Sequence, residues 1–189
     1  MLFWLEIATG FTGALTLVWL ARVAARRFFD LPSVEPLTTA GTGLTEASVR
    51  YLKQARLEVL VLAEKLASKP LADALLEAKN RGARVEIIVD RTAVNDPDSV
   101  HSHLAEQNLT PMQSPTQRAV RGGMVLIDRR LLLTSDLGFT QKDEAEIGAG
   151  LVVTGYSQVM QAFHKHFEAV KAQIKIPGEN KSTPQEKAA

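Results

Sequence analysis

The chain has 189 residues, 46% of them hydrophobic and 23% charged, and a net charge of +1 at neutral pH. That is a globular composition, long enough for one domain and an appendage, and a charge near zero rules out a global electrostatic argument for nucleic-acid binding. With no cysteine in the sequence, disulfides, thiolate catalysis and cysteine-ligated zinc are excluded.

From Leu2 to Ala25 the residues are almost uniformly apolar, interrupted only by Glu6 and Arg22. About 20 such residues in a helix span a bilayer, so residues 1–28 are predicted to be a transmembrane anchor. A cleaved signal peptide would need a basic start, and its cleavage zone here would be crowded by Arg22, Arg26 and Arg27. A helix buried on one side would carry a polar face, which this run lacks. The three arginines lie on the C-terminal flank, which predicts a soluble domain on the cytoplasmic side of the inner membrane; the periplasmic side is the alternative. The same arginines are suited to anionic lipid headgroups.

Residues 29–43 carry Pro32, Pro36, Gly41 and Gly43 and read as a linker that becomes a first strand around Val34–Leu37. Thr45 is the expected N-cap of a helix through about Arg56, with Val49 and Leu52 inward. Leu57–Ala63 is a continuous apolar run of strand length, the pattern of a strand covered on both faces. A helix opened by Pro70 follows, with Leu71, Ala74, Leu75 and Ala78 on one face and Gly82 as its left-handed terminator. Arg84–Asp90 is a second apolar strand, and strand–helix–strand at this spacing predicts parallel pairing with a right-handed crossover.

Asn95 or Asp96 is expected to cap a short helix with Pro97 at its start, running to about Gln107. Leu109–Met112 is a weak strand and Ser114–Gly123 a loop. Met124–Asp128 and Leu131–Thr134 form a hairpin, and Gly150–Thr154 a further strand. A terminal helix begins near Tyr156 with an apolar stripe of Val159, Phe163, Phe167, Val170 and Ile174. Residues 44–175 are thus one domain, and the polar stretch 176–189 is expected to be a flexible tail.

Three segments, LTEASVRYLKQARLEVLVLAEKLASKPLADALLEAKNRGARVEIIVD, MVLIDRRLLLTSDLGFT and LVV with the Phe-bearing helix after it, give this order of elements a family resemblance. From Val34 to Gln173 the chain resembles one unit of the phospholipase D superfamily, in particular its small single-motif bacterial nucleases and their mitochondrial cardiolipin-hydrolase relatives. The resemblance implies an α/β fold with a mixed, largely parallel sheet flanked by helices. It also implies pairing of two units, as a homodimer or with an active relative, since family units share a site face to face.

The family signature is His-x-Lys, four residues and Asp, followed by a Gly-Ser-x-Asn loop. Registering it on Leu126–Asp128 places Arg121 at the histidine and Gly123 at the lysine, and retains Asp128. Ser135 then falls at the loop glycine, Asp136 at its serine and Gly138 at its asparagine, with Gly148 where these nucleases carry a glutamate. The family reaction needs an imidazole nucleophile and a second imidazole as acid. A guanidinium has no free lone pair near neutral pH and cannot replace it. Without the lysine, a cation for the transferring phosphoryl group is missing. Asp136 would add repulsion of about 1 kcal/mol in water, or about 4 kcal/mol at an effective dielectric of 20, to a charge ~4 Å away.

The apolar N-terminal run and the resemblance together imply a membrane-tethered, non-catalytic scaffold or a binding module for a phosphate ligand, either nucleic acid or anionic phospholipid. An active phosphodiesterase with a rearranged site and a protein–protein anchor without phosphate binding are the alternatives. Arg118, Arg121, Ser135 and Thr140 are the phosphate-binding candidates. Arg129 and Arg130 read as a solvated turn. His101, His103, His164 and His166 are two apart within each helix, so neither pair shares a face to hold a metal, and solvent exposure is expected for them. Asp90 is expected to cap the loop after its strand, and Glu64 and Asp90 to border a cleft. No cofactor or metal is expected.

Overall fold

The computed structural model describes residues 32–38, 44–115, 119–136, 139–140 and 148–174. The expected anchor at 1–28, the flexible tail at 176–189, Arg118 and Gly138 lie outside the described residues, as does most of the linker. No helix among the described residues is long and apolar enough to cross a membrane.

In chain order the elements are β1 (Ser33–Thr38), α1 (Leu44–Leu52), β2 (Glu58–Ala63), β3 (Leu66–Ala67), α2 (Lys69–Asn80) and β4 (Arg84–Val89). A 3-10 turn at Arg91–Ala93 precedes α3 (His101–Glu106), β5 (Met112–Gln113), β6 (Gly123–Ile127), β7 (Leu131–Ser135), β8 (Phe139–Thr140), β9 (Ala149–Thr154) and α4 (Ser157–Lys171). The main sheet has seven strands in the order β1-β9-β7-β6-β2-β4-β5, and β3 pairs with β8 in a separate two-stranded ladder.

Every residue of β2 is buried, as its unbroken apolar run requires. Its side chains alternate between two cores. Val59, Val61 and Ala63 join Leu71, Ala74, Leu75 and Leu104 under α1, α2 and α3. Leu60 and Leu62 join Ile88, Leu126, Leu132 and Phe167 under α4. The α4 stripe is as expected: Phe167 is fully buried, while Val159, Phe163, Val170 and Ile174 pack around it half-buried.

The β2–α2–β4 unit is parallel as predicted, pairing Glu58 with Arg84 through to Ala63 with Val89. Ser68 caps α2 by accepting the Leu71 N–H at 3.4 Å, Pro70 sits in the first turn, and Gly82 terminates it at φ +97°. The sheet is mixed, but not largely parallel. Parallel ladders are confined to β2–β4 and β4–β5, and the β1–β9, β9–β7, β7–β6 and β6–β2 ladders are antiparallel. The reason is connectivity: the α2 crossover from β2 to β4 allows parallel pairing, whereas the tight β6–β7 hairpin forces reversal.

Two helices are shorter than expected. Leu44 already begins α1, so Thr45 is inside its first turn, and the helix ends at Leu52. Beyond it the Gln54 and Ala55 amides tighten onto the Tyr51 and Leu52 carbonyls, and those of Arg56, Leu57 and Glu58 turn to the Asp128 carboxylate. Pro97 lies in a turn, not in a helix. The Asp96 carboxylate accepts the Asp98 N–H at 2.9 Å, its carbonyl accepts the Ser99 N–H at 2.9 Å, and α3 starts only at His101.

Candidate functional site

Strand direction places the ends of β2, β4 and β7 and the start of β6 at one pole of the sheet. There the β2–β6 ladder extends past the strands, with the Glu64 N–H donating to the Gly122 carbonyl at 2.8 Å. Gly122 has φ +68°, and a Cβ on it would stand 2.4 Å from the Ser135 carbonyl oxygen, so β6 and β7 can meet here only around a glycine.

Asp90 organises this pole. It is 5% exposed, and its carboxylate accepts the Thr92 N–H at 3.0 Å, the Thr92 hydroxyl at 2.7 Å and the Val120 N–H at 2.8 Å. The buried Ser114 hydroxyl adds a longer contact at 3.4 Å and itself accepts the Arg91 N–H at 3.2 Å. Burial by itself would push the Asp90 carboxyl up, but these donors prevail and hold it below the ordinary carboxylate range. The expected cap is present, and the same carboxylate also ties the β5 end and the approach to β6 onto β4. The sequence signal for the cap was the Asp-x-Thr spacing after an apolar strand; nothing local signalled the tie to Val120.

Arg121 follows directly from the tethered Val120. Its Nη1 donates to Glu64 Oε1 at 2.6 Å, and the Gly122 N–H makes a weaker approach to Glu64 Oε2 at 3.4 Å. The Arg121 side chain is 80% exposed and that of Glu64 37%, so the pair sits at the rim, not in a sealed pocket. Glu64 thus lies at the rim of this pole, whereas Asp90 is buried. Asp136 does not turn to Arg121. Its Oδ1 accepts the Ala149 N–H at 2.9 Å and the Ser135 hydroxyl at 3.4 Å, and its own N–H donates to the Ala149 carbonyl at 3.2 Å. Across the same rim, Lys65 pairs with Asp96 at 2.6 Å.

Of the phosphate-binding candidates, Arg121 and Ser135 are therefore brought to one pole, each engaged by a carboxylate. Arg118 lies outside the described residues, and Thr140 is described only as backbone, in the ladder with Ala67. Gly123 opens β6, buried and paired with Ala63 and Ser135.

Asp128 stands at the opposite pole, in the β6–β7 turn. Asp128 and Arg129 have φ of 51° and 53°, the sign pattern of a type I′ turn, closed by the Arg130 N–H to the Ile127 carbonyl at 2.9 Å. Its carboxylate accepts the backbone N–H groups of Arg56 at 3.0 Å, Leu57 at 2.8 Å and Glu58 at 2.9 Å. Arg129 is not simply solvated: its Nε donates to Glu58 Oε1 at 3.0 Å, and Arg84 binds the other Glu58 oxygen. Burial opposes charge on Glu58, but the two guanidinium groups outweigh it and hold its carboxyl below the ordinary range. The same contact raises Arg84.

The histidines differ from expectation in part. His164 is 17% exposed with Nε2 3.6 Å from Glu58 Oε1, and His101 has a buried Nδ1, because α4 and the start of α3 lie against the sheet. His103 is half-exposed and contacts Asp73 at 3.1 Å. No group of three or more metal-binding side chains occurs among the described residues.

No family model and no curated protein matches this chain. Solved structures do. Nuc from Salmonella typhimurium, a phospholipase D family member, aligns with a TM-score of 0.71 at 16% identity over 77% of this chain and 97% of its own. NucT from Helicobacter pylori aligns at 0.68 and 11% identity, over 76% and 98%. Phosphatidylserine synthase from Haemophilus influenzae aligns at 0.59 and 17% identity, over 77% of this chain and 40% of that enzyme. At such identities the likeness speaks to architecture alone. In architecture, then, the chain shares its fold with Nuc, a phospholipase D family member, and with NucT.

Proposed function

We propose that this protein is a membrane-tethered, non-catalytic member of the phospholipase D fold that acts as a scaffold at the inner membrane. The observation that carries this reading is the Arg121–Glu64 ion pair at 2.6 Å. In the family register Arg121 takes the nucleophile's place, and a guanidinium cannot attack phosphorus. Gly123 supplies no cation in the lysine's place. The surroundings do not favour a phosphodiester: Glu64, Asp90, Asp96, Asp98 and Asp136 lie at this pole with Lys65, Lys69, Arg91 and Arg121 among the described residues, and Glu64 and Asp96 already hold Arg121 and Lys65. A polyanion would have to compete with those carboxylates for the cations.

Tethering rests on the apolar run from Leu2 to Ala25 and its arginine flank. Pairing of two units, as a homodimer or with an active relative, follows from the single-unit architecture and the frequency of two-fold assemblies. A second reading, a phosphate-binding module, has one observation in its favour: Arg121 is 80% exposed and bound through Nη1 at the rim, where an incoming phosphate would compete with Glu64.

The test is hydrolysis of bis-p-nitrophenyl phosphate, plasmid DNA and phospholipid vesicles by the full chain in detergent. The expected result is no turnover above an Arg121→Ala control. Turnover lost on Arg121→Ala or Glu64→Gln would overturn the non-catalytic reading. Salt-dependent binding to DNA or phosphatidylglycerol vesicles that weakens on Arg121→Ala would favour the phosphate-binding module.

A further inference from the structure

The two poles of the sheet differ in charge, and the pole opposite the Arg121–Glu64 rim has an arrangement that the scaffold reading does not use. It gathers the start of β1, the segment before β2, the start of β4, the β6–β7 turn and the end of β9. Here the cations point outward and the Glu58 and Asp128 carboxylates inward. The Arg84 and Arg129 side chains are 52% and 59% exposed, while the Glu58 carboxylate between them is 9% exposed. Arg56 and Arg130 are exposed. The Asp128 carboxylate is turned back onto three backbone amides. Glu35, beside Val34 on β1, is an exposed acid and accepts the Tyr51 hydroxyl at 3.3 Å; against the four arginines the exposed charge at this pole is net positive.

Large apolar side chains stand among these arginines. Leu57 is 72% exposed, Val34 50% and Tyr156 41%. They are rigidly presented. The Leu57 N–H is held by Asp128 at 2.8 Å, the Gly155 N–H beside Tyr156 approaches the Arg130 carbonyl at 3.4 Å, and Val34 is in register with Val153. Across the sheet order, β1 to β2 is four strand spacings, so the strip is about 19 Å wide.

Covalent continuity identifies what this strip faces. Ser33 opens β1 at this pole, six residues after Arg27, and six residues reach at most about 20 Å. An apolar segment with arginines at its inner end thus joins the domain at its basic, Leu- and Tyr-bearing pole. Arginine, an aliphatic side chain and an amphipathic tyrosine are the side chains that suit a headgroup interface over anionic lipid.

We propose that this pole docks on the anionic lipid surface, with Arg56, Arg84, Arg129 and Arg130 against headgroups and Leu57 and Tyr156 at the interfacial level. The acidic Arg121–Glu64 rim is then held away from the membrane, open to soluble partners. The proposal rests on the tethering reading above and adds a fixed orientation to it.

The absence of native cysteine allows a direct test on the full chain. Leu57→Cys, Tyr156→Cys and, at the acidic pole, Asp98→Cys each carry one environment-sensitive fluorophore in vesicles containing phosphatidylglycerol and a headgroup-level quencher lipid. The expected result is severalfold stronger quenching at 57 and 156 than at 98. Replacing phosphatidylglycerol by phosphatidylcholine, or introducing Arg56→Glu with Arg130→Glu, should lower the 57 and 156 signals to that of 98 while the chain still floats with the vesicles. Equal quenching at all three positions in a chain that floats would overturn the docking and leave the tether standing. A chain that washes off in alkaline carbonate would overturn the tether and the docking with it. A signal at 57 indifferent to lipid but responsive to duplex DNA would overturn the proposal in favour of a nucleic-acid face.

Discussion

Asp128→Ala should be among the most damaging single substitutions outside the core, although the residue is far from the candidate site. Its carboxylate takes the N–H groups of Arg56, Leu57 and Glu58 at 3.0, 2.8 and 2.9 Å, joining the α1–β2 connection to the β6–β7 turn. A hydrogen bond to a charged group is worth about 1.5–3 kcal/mol, and an unpaired buried donor costs about 1–3 kcal/mol. The amides of Arg56 and Leu57 are at the surface, where water recovers most of their loss, so the part-buried Glu58 amide dominates. A loss of about 3 kcal/mol is expected, which for a chain of this length lowers the melting temperature by roughly 10 °C. Asp128→Asn keeps an acceptor oxygen and tolerates the φ of 51°, and should lose only about 1 kcal/mol. Asp128→Gly should recover about 1 kcal/mol relative to alanine by removing the left-handed strain. Urea and thermal unfolding of the three variants in detergent would measure this. Alanine within 1 kcal/mol of the parent protein, or asparagine no better than alanine, would refute the view that Asp128 is kept as a clasp.

Gly122→Ala combines a φ of +68° with a Cβ 2.4 Å from the Ser135 carbonyl, and should destabilise by about 2–4 kcal/mol, read from denaturant midpoints. Phe167→Ala removes a fully buried ring from the core under α4 and should cost about 3–5 kcal/mol by the same measurement. Arg121→Ala, breaking an ion pair between exposed side chains, should change stability by less than about 1 kcal/mol; a larger loss would make the pair structural. The Asp90 and Glu58 carboxyls are both depressed in the folded state, so their contribution is complete above the ordinary carboxylate pKa. It is lost as pH falls below about 4 and through the folded values. Asp90→Asn should flatten that acid limb of the stability-versus-pH curve, whereas an unchanged slope would contradict the assignment.

Much of the architecture was legible in local pattern. The unbroken apolar β2, the i, i+3, i+4, i+7 stripe of α2 ending at Gly82, and the Phe167 face of α4 are encoded within single elements, because burial of a periodic face needs only the periodicity. Helix ends are less legible: after Leu52 the amides of Gln54 and Ala55 tighten onto Tyr51 and Leu52, and the chain then turns its Arg56, Leu57 and Glu58 amides to the distant Asp128. The sequence also marked Arg121, Asp128 and Asp136 as the residues to watch, by register with a known signature. It could not say what each would touch.

Sequence alone determined the apolar run from Leu2 to Ala25, the lack of cysteine, the presence of arginine at 121 and glycine at 123, and the strand–helix–strand core. Tertiary structure decided that Arg121 binds Glu64, that Asp136 binds the β9 backbone, that Asp90 holds Val120, and that the sheet is mainly antiparallel in its pairing. The physical reason is range. Periodicity and chain composition act over a few residues, whereas these contacts join groups 57, 13 and 30 positions apart, and strand order alone brings them together.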